Sequence, residues 1–321
     1  MKILLTGAAG FIGSHTAERL LAAGHAVTGL DNFDPYYDPA IKRRNVATAL
    51  ADPGYRLIEG DFTNAALLER LLPESRFDAV IHLAAQAGVR PSLVDPLKYE
   101  RVNVAGLIVL LEALRKHGPR RLVASSSSSV YGNTTPAPFR EDAPCVQPQS
   151  PYGASKRAGE VYVGLYAQLY GFRAAVVRPF TVYGPRQRPD MAIAAFLRAI
   201  LLGETITLYG DGSSARDYTY VDDIVAGLLG ALAFPADFGI YNLGGEQPIS
   251  LAELVRVLEQ VAGRPARVRH EPMQAGDVER TCADLTRARR DLGFAPRVPL
   301  EEGLRRTLAW VRSELAREGR S

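Results

Sequence analysis

The first thirteen residues constrain this chain more than any others. Lys2 to Thr6 is a short apolar run; Gly7, Gly10 and Gly13 follow at every third position, and a helical stretch runs from Ser14 to Ala23. The order is strand, glycine turn, helix. Gly7 permits a tight turn, Gly10 lets backbone approach a pyrophosphate, and Gly13 allows close packing of helix on strand. The helix N-terminus then offers free N–H groups to phosphates, with Phe11 and Ile12 beside them. Taken alone, such a triplet is better read as a structural turn. The next apolar run, Ala26 to Leu30, changes that reading because it ends at Asp31, 18 residues past Gly13. A carboxylate there accepts from both ribose hydroxyls of a dinucleotide and repels a 2′-phosphate, so NAD is expected rather than NADP. The alternative for Asp31 is a turn residue.

Further apolar runs at Tyr55–Glu59, Ala79–Leu83, Arg121–Ser125 and Ala174–Arg178 alternate with helical segments near 64–72, 95–117 and 151–171. Repeated strand–helix units predict an α/β fold of Rossmann type: a doubly wound parallel sheet, helices on both faces, right-handed crossovers. Ligands belong at the carboxyl ends of its strands, where Asp61, His82 to Ala85, Ser125 to Ser129 and Pro179 to Thr181 fall. The texture changes after Gly184. A loop, a helix near 192–202 and a turn-rich stretch precede Ile240 to Leu243, which reads as a strand rejoining the sheet. Ser250-Leu-Ala-Glu253 is a capping box opening another helix. Residues 1–179 with 223–253 are therefore expected to form the NAD-binding domain. Residues 180–222 with 254–321 form a smaller mixed α/β lobe for the substrate.

Composition narrows the function classes. Among 321 residues, 47% are apolar and 23% charged, and the net charge of +3 calls for no nucleic acid. Two cysteines make no disulfide framework and suit a reducing compartment. Five histidines lack metal-ligand spacing, so no metal is expected. No segment approaches 18 uninterrupted apolar residues, and the first strand starts at residue 2, which leaves no room for a signal peptide. A cytoplasmic enzyme without membrane contact is the expectation.

The chemistry is carried by Ser127, Tyr152 and Lys156. Ser150 can cap a helix whose first residue is Pro151, which puts Tyr152 and Lys156 on one face at i and i+4. The ammonium can then approach the phenol oxygen. A phenol of pKa about 10 needs roughly 4 kcal/mol of help to act as a base near pH 7. One positive charge ~5 Å away, at an effective dielectric of ~20, supplies roughly 3 kcal/mol. A Tyr–Lys pair alone is an ordinary surface feature; the glycines and Ser127, 25 residues ahead of Tyr152, make it a candidate hydride-transfer site.

Together these residues resemble the extended short-chain dehydrogenase/reductases, and within them the nucleotide-sugar 4-epimerases. The likeness spans nearly the whole chain. It rests on Thr6-Gly-Ala-Ala-Gly-Phe-Ile-Gly13, Gly60-Asp61, His82-Leu-Ala-Ala85, Asn103, Ser125 to Gly132, Tyr152-Gly-Ala-Ser-Lys156, Arg178-Pro179 and Arg216-Asp-Tyr-Thr-Tyr-Val221. The resemblance implies that Ser127, Tyr152 and Lys156 are catalytic. It places Asp61 beside the adenine, with Asn32 and Phe62 nearby, and Leu83, Ala84, Ala85, Ser125 and Pro179 along a tightly bound NAD. Asn103 supports the Lys156 side. Arg216, Gln274 and Asp277 become contacts of a nucleoside diphosphate. A homodimer is implied through helices near 95–117 and 151–171.

The insertion Asp31-Asn-Phe-Asp-Pro-Tyr-Tyr-Asp38, with Ala87 to Ser92, Gly184 to Met191 and Gly276 to Thr281, looks like the UDP-glucuronate 4-epimerase branch. Relatives that dehydrate carry Asp-Glu, and relatives that decarboxylate carry Glu, just before Val-Tyr-Gly; here Ser128 and Ser129 stand there. Pro91 departs from the aromatic common beside Arg90. The reading is transient oxidation at C4, rotation of the 4-keto sugar and re-reduction. Ser127, Ser128, Ser129, Thr181 and Arg188, with Arg90, are expected on the sugar and its carboxylate. The alternatives are UDP-glucose/UDP-galactose epimerisation, then oxidative decarboxylation of UDP-glucuronate. A catalytically silent NAD-binding module is the reading from a different class.

Overall fold

The computed structural model describes residues 1–234, 236–273, 276 and 278–320. Its strands are β1 (Lys2–Thr6), β2 (Ala26–Asp31), β3 (Tyr55–Glu59), β4 (Ala79–His82), β5 (Arg121–Ser125) and β6 (Arg173–Pro179), then β7 (Thr181–Tyr183), β8 (Thr205–Tyr209), β9 (Ala215–Tyr220), β10 (Phe238–Leu243), β11 (Pro248–Ser250) and β12 (Arg267–Glu271). Seven of them form one parallel sheet in the order β10-β6-β5-β4-β1-β2-β3. The burial explains the parallel arrangement: all four residues of β4, and every residue of β1 after Lys2, are shielded on both faces. The doubly wound Rossmann-type fold is therefore present, and the expected strand at 240–243 lies parallel to β6.

The chain leaves β1 for β2 on one side, and β4 lies on the other. The crevice between these two directions is where such sheets bind ligands. The glycine turn opens into it. Gly7 has φ +72, a left-handed value that favours glycine, and a Cβ on Gly13 would lie 2.0 Å from the Gly7 carbonyl oxygen. The helix Phe11–Ala22 thus starts directly on the turn, three residues earlier than the sequence suggested, and packs against the helix Val221–Ala233.

One apolar core runs from the sheet, through Leu5, Val177 and Leu228, into Leu254, Leu304 and Leu308 of the C-terminal helices. Two small sheets, β11-β9-β7 and β12-β8, sit on that side. Asp217 ties them to the main body: its buried carboxylate accepts from the N–H groups of Gly245 (2.6 Å), Glu246 (3.1 Å) and Ala283 (2.8 Å). The capping box is formed, with Ser250 Oγ accepting from the Glu253 N–H. The segment expected as one helix over 95–117 is instead Pro96–Glu100, a π-helical turn at Arg101–Ala105, and Gly106–His117. The wide turn carries Asn103, whose buried amide bonds the Gln86 backbone in both directions at 2.8 and 2.9 Å.

Candidate active site

A cleft of about 460 Å³ opens at the carboxyl ends of β1, β2, β4 and β5. Gly7, Gly10 and Gly13 line one end together with Phe11, Ile12, Asp31, Asn32 and Phe62. Asp31 is held by the Ala9 N–H (3.0 Å) and the Phe33 N–H (2.8 Å), and its carboxylate lines the cleft. Asn32 donates to Asp61 at 2.9 Å, and Asp61 in turn caps its own turn through Thr63. Asp61 therefore orients Asn32 from just outside the lining. The residues fit a dinucleotide: a cradle without Cβ atoms, a helix N-terminus, and a carboxylate one strand away. Gly13→Ala is expected to abolish NAD retention, since its Cβ would meet backbone at 2.0 Å; a purified variant still carrying stoichiometric NAD would refute the cradle.

Leu83, Ala84, Ala85, Ser125 and Pro179 continue the lining towards the middle of the cleft. His82 lies below them, with Nδ1 at 2.8 Å from Thr6 Oγ1. Burial, and then the charge of Lys156, press its pKa down to about 3, so it stays neutral.

Ser127, Tyr152 and Lys156 meet at the centre. Ser150 caps the helix Pro151–Tyr170 by accepting from the Gly153 N–H at 3.1 Å, which places Tyr152 in the first turn, its ring edge-on to Tyr99. Burial raises the phenol pKa, while the Ser127 hydroxyl and the Arg188 charge draw it back. The expected approach of the ammonium to the phenol is not what orders Lys156: its Nζ donates to the Ser125 carbonyl at 2.8 Å. A buried ammonium must spend its donors on nearby acceptors, and the strand-end carbonyl is at hand. Burial lowers the Lys156 pKa to about 8, against the pull of Glu160.

Beside them, Ser127, Ser128 and Ser129 form a short turn in which Ser127 Oγ accepts from the Ser129 N–H at 3.1 Å. With Thr181, Arg188 and Arg216 they line the same cleft. Arg188 is aimed by Asp190, which takes two hydrogen bonds from the guanidinium at 2.9 Å and one from the Tyr36 hydroxyl at 3.2 Å. Three expected residues stand outside the lining. Asn103 lies behind it on Gln86 and Ser155, Asp61 is described above, and the Arg90 guanidinium stacks over the Tyr209 ring at 4.2 Å. Gln274 and Asp277 lie outside the described residues. Tyr36, Tyr37 and Gln149 line the cleft without having been singled out as site residues. Two adjacent tyrosines in a Pro/Asp-rich insertion were the available signal.

Residues 3–244 match the NAD dependent epimerase/dehydratase family. UDP-glucuronate 4-epimerase 5 of Arabidopsis thaliana is 43% identical over 97% of this chain and 75% of its own length. The crystal structure of UDP-glucuronic acid 4-epimerase from Bacillus cereus, in complex with UDP-glucuronic acid and NAD, matches with a TM-score of 0.92 at 35% identity, covering 98% of this chain and 100% of that one. UDP-glucose 4-epimerase of Thermotoga maritima, with UDP-glucose, matches with a TM-score of 0.90 at 34% identity over 98% of this chain and 100% of that one.

Proposed function

The chain belongs to the NAD dependent epimerase/dehydratase family, and we propose that it interconverts UDP-glucuronate and UDP-galacturonate by inverting C4. The observation that carries this reading is one cleft holding the glycine cradle, the Ser127–Tyr152–Lys156 cluster, and hydroxyls where a dehydratase or decarboxylase needs a carboxylate. Bound NAD would supply a hydride acceptor at C4 that is restored on re-reduction, so the cycle would have no net redox change.

The protein's own groups do the rest. Tyr152 needs the Lys156 ammonium and the positive nicotinamide of bound NAD to ionise against the effect of burial. It takes the proton of the 4-hydroxyl and gives it back, with Ser127 hydrogen-bonded to the same oxygen. Lys156 supplies positive charge beneath them. Arg216, with Gln274 and Asp277, grips the nucleoside diphosphate while the 4-keto sugar turns over. Ser127, Ser128, Ser129, Thr181 and Arg188 hold the sugar carboxylate, whose bond to C5 lies β to the transient ketone. Several donors keep that bond out of the perpendicular alignment that releases CO₂. Asp31, Asn32, Asp61, Phe62 and the Leu83–Ala85 strand end serve the cofactor. Residues 1–179 with 223–253 act as its domain, and 180–222 with 254–321 as the sugar lobe.

The test offers the purified protein UDP-glucuronate and UDP-glucose separately, without added NAD. UDP-galacturonate without CO₂ is expected. UDP-galactose as dominant product would overturn the uronate assignment, and a UDP-pentose would restore decarboxylation.

The enzyme is further read as a cytoplasmic homodimer. Val161, Leu165 and Leu169 recur every four residues along one exposed stripe of the helix Pro151–Tyr170, the kind of apolar surface that a second copy covers. Among the described residues no helix is long and apolar enough to cross a membrane, and both cysteines are free. Leu165→Glu is expected to yield monomers in light scattering; a variant that remained dimeric would move the interface elsewhere.

A further inference from the structure

Three consecutive residues at the end of β5 each engage the same helix. The Ser125 carbonyl accepts from Lys156 Nζ at 2.8 Å, the Ser126 hydroxyl donates to Glu160 Oε1 at 2.6 Å, and Ser127 faces the Tyr152 phenol. Tyr152, Lys156 and Glu160 stand four residues apart on the helix Pro151–Tyr170. Two of these grips involve the reaction centre. The third, Ser126 to Glu160, is fully buried and has no part in the chemistry described above.

It is also the most strongly built. Glu160 takes four hydrogen bonds: Ser126, two from Arg178 at 2.7 Å each, and Arg157 at 3.0 Å. Arg178 belongs to β6, and the Ser126 N–H donates to the Val177 carbonyl of that strand at 2.7 Å. The carboxylate therefore locks the helix to two neighbouring strands at one point. A slip of one residue along the helix would shift each side chain by ~1.5 Å and turn it by roughly 100°. Displacement of a catalytic group by ~1 Å can cost about a hundredfold in rate.

We propose that Ser126 and Glu160 are positioning residues whose buried hydrogen bond sets the register of the helix Pro151–Tyr170 against the end of β5, and with it the placement of Tyr152 and Lys156. The role rests on the reading of Tyr152 and Lys156 as the reacting pair. The charged and titratable groups around Lys156 are Glu160, with Arg157 and Arg178 upon it, His82 on β4, and Tyr152 one turn earlier.

The first measurement is steady-state turnover of UDP-glucuronate by Ser126→Ala, expressed per bound NAD so that unfolded protein does not count. kcat is expected to fall about tenfold with KM within about twofold of wild type, because alignment is lost and binding is not. An unchanged kcat, or a rise in KM alone, overturns the proposal. The second needs no substrate. The chain has five lysines, and ¹⁵N-lysine spectra with Lys156→Arg as the assignment control follow the Lys156 titration directly. In Ser126→Ala, which removes the buried bond and no charge, the Lys156 midpoint is expected to shift from that of wild type measured alongside, because a changed register alters the contact of Nζ with the Ser125 carbonyl. A midpoint that stays in place overturns the link between the Ser126–Glu160 bond and the placement of Lys156. If the wild-type enzyme turns over no UDP-sugar, the functional reading fails while the lysine titration still scores the register.

Discussion

Replacing Tyr152 by Phe is expected to lower turnover by about a thousandfold and leave NAD bound. The magnitude is that of a general acid/base in proton transfer, roughly 10²–10⁴. Phenylalanine keeps the ring, its edge-on packing against Tyr99 at 6.1 Å between centroids, and the helix start capped by Ser150, so only the proton-transferring oxygen is lost. The measurement is kcat on UDP-glucuronate, with NAD content determined chromatographically after denaturation. Turnover within about tenfold of wild type would end the acid/base assignment. Loss of NAD together with activity would show that Tyr152 matters for the cofactor site as a whole.

Arg178→Ala is expected to destabilise the fold by about 3 kcal/mol, the low end of the cost of breaking a buried ion pair, because Glu160 keeps its ion pair with Arg157. Arg178 is 1% exposed; it bonds Glu160 twice at 2.7 Å and the Tyr131 hydroxyl at 2.9 Å. Alanine leaves a buried carboxylate with the Ser126 hydroxyl and Arg157 as its only hydrogen-bond partners, and opens a cavity beside it. Against a total stability of about 5–15 kcal/mol, such a loss is a large fraction of the whole. Urea denaturation of both proteins measures it. Arg178→Met with Glu160→Leu is expected to recover most of the loss, because the only charge left without its partner, Arg157, reaches solvent. A single variant losing less than about 1 kcal/mol would mean that water reaches Glu160 when the guanidinium is removed.

The cofactor half of the site was legible because its signals are local. Lys2–Thr6, the three glycines and Asp31 lie within one strand–turn–helix–strand unit, and backbone sterics alone demand glycine where φ is +72 or where a Cβ would sit 2.0 Å from a carbonyl. The helix cap at Ser150 and the capping box at Ser250 are local in the same sense. The sugar half was legible only in part. Arg188 was singled out, yet its orientation depends on Asp190 and on Tyr36, 152 residues earlier in the chain. Lys156 was expected at the phenol because i and i+4 share a helix face; that spacing gave no sign that one of its three donors goes to the Ser125 carbonyl, 31 residues away.

By itself the sequence determined the parallel α/β sheet, the glycine turn that opens its first helix, and the Ser150 cap that sets Tyr152 and Lys156 on one helix, since each is written in residues a few positions apart. Only the tertiary structure decided which polar groups face which. Buried donors and acceptors must find partners wherever the folded chain presents them, and that pairing joined Ser126 to Glu160, Glu160 to Arg178 and Asp217 to three distant amides.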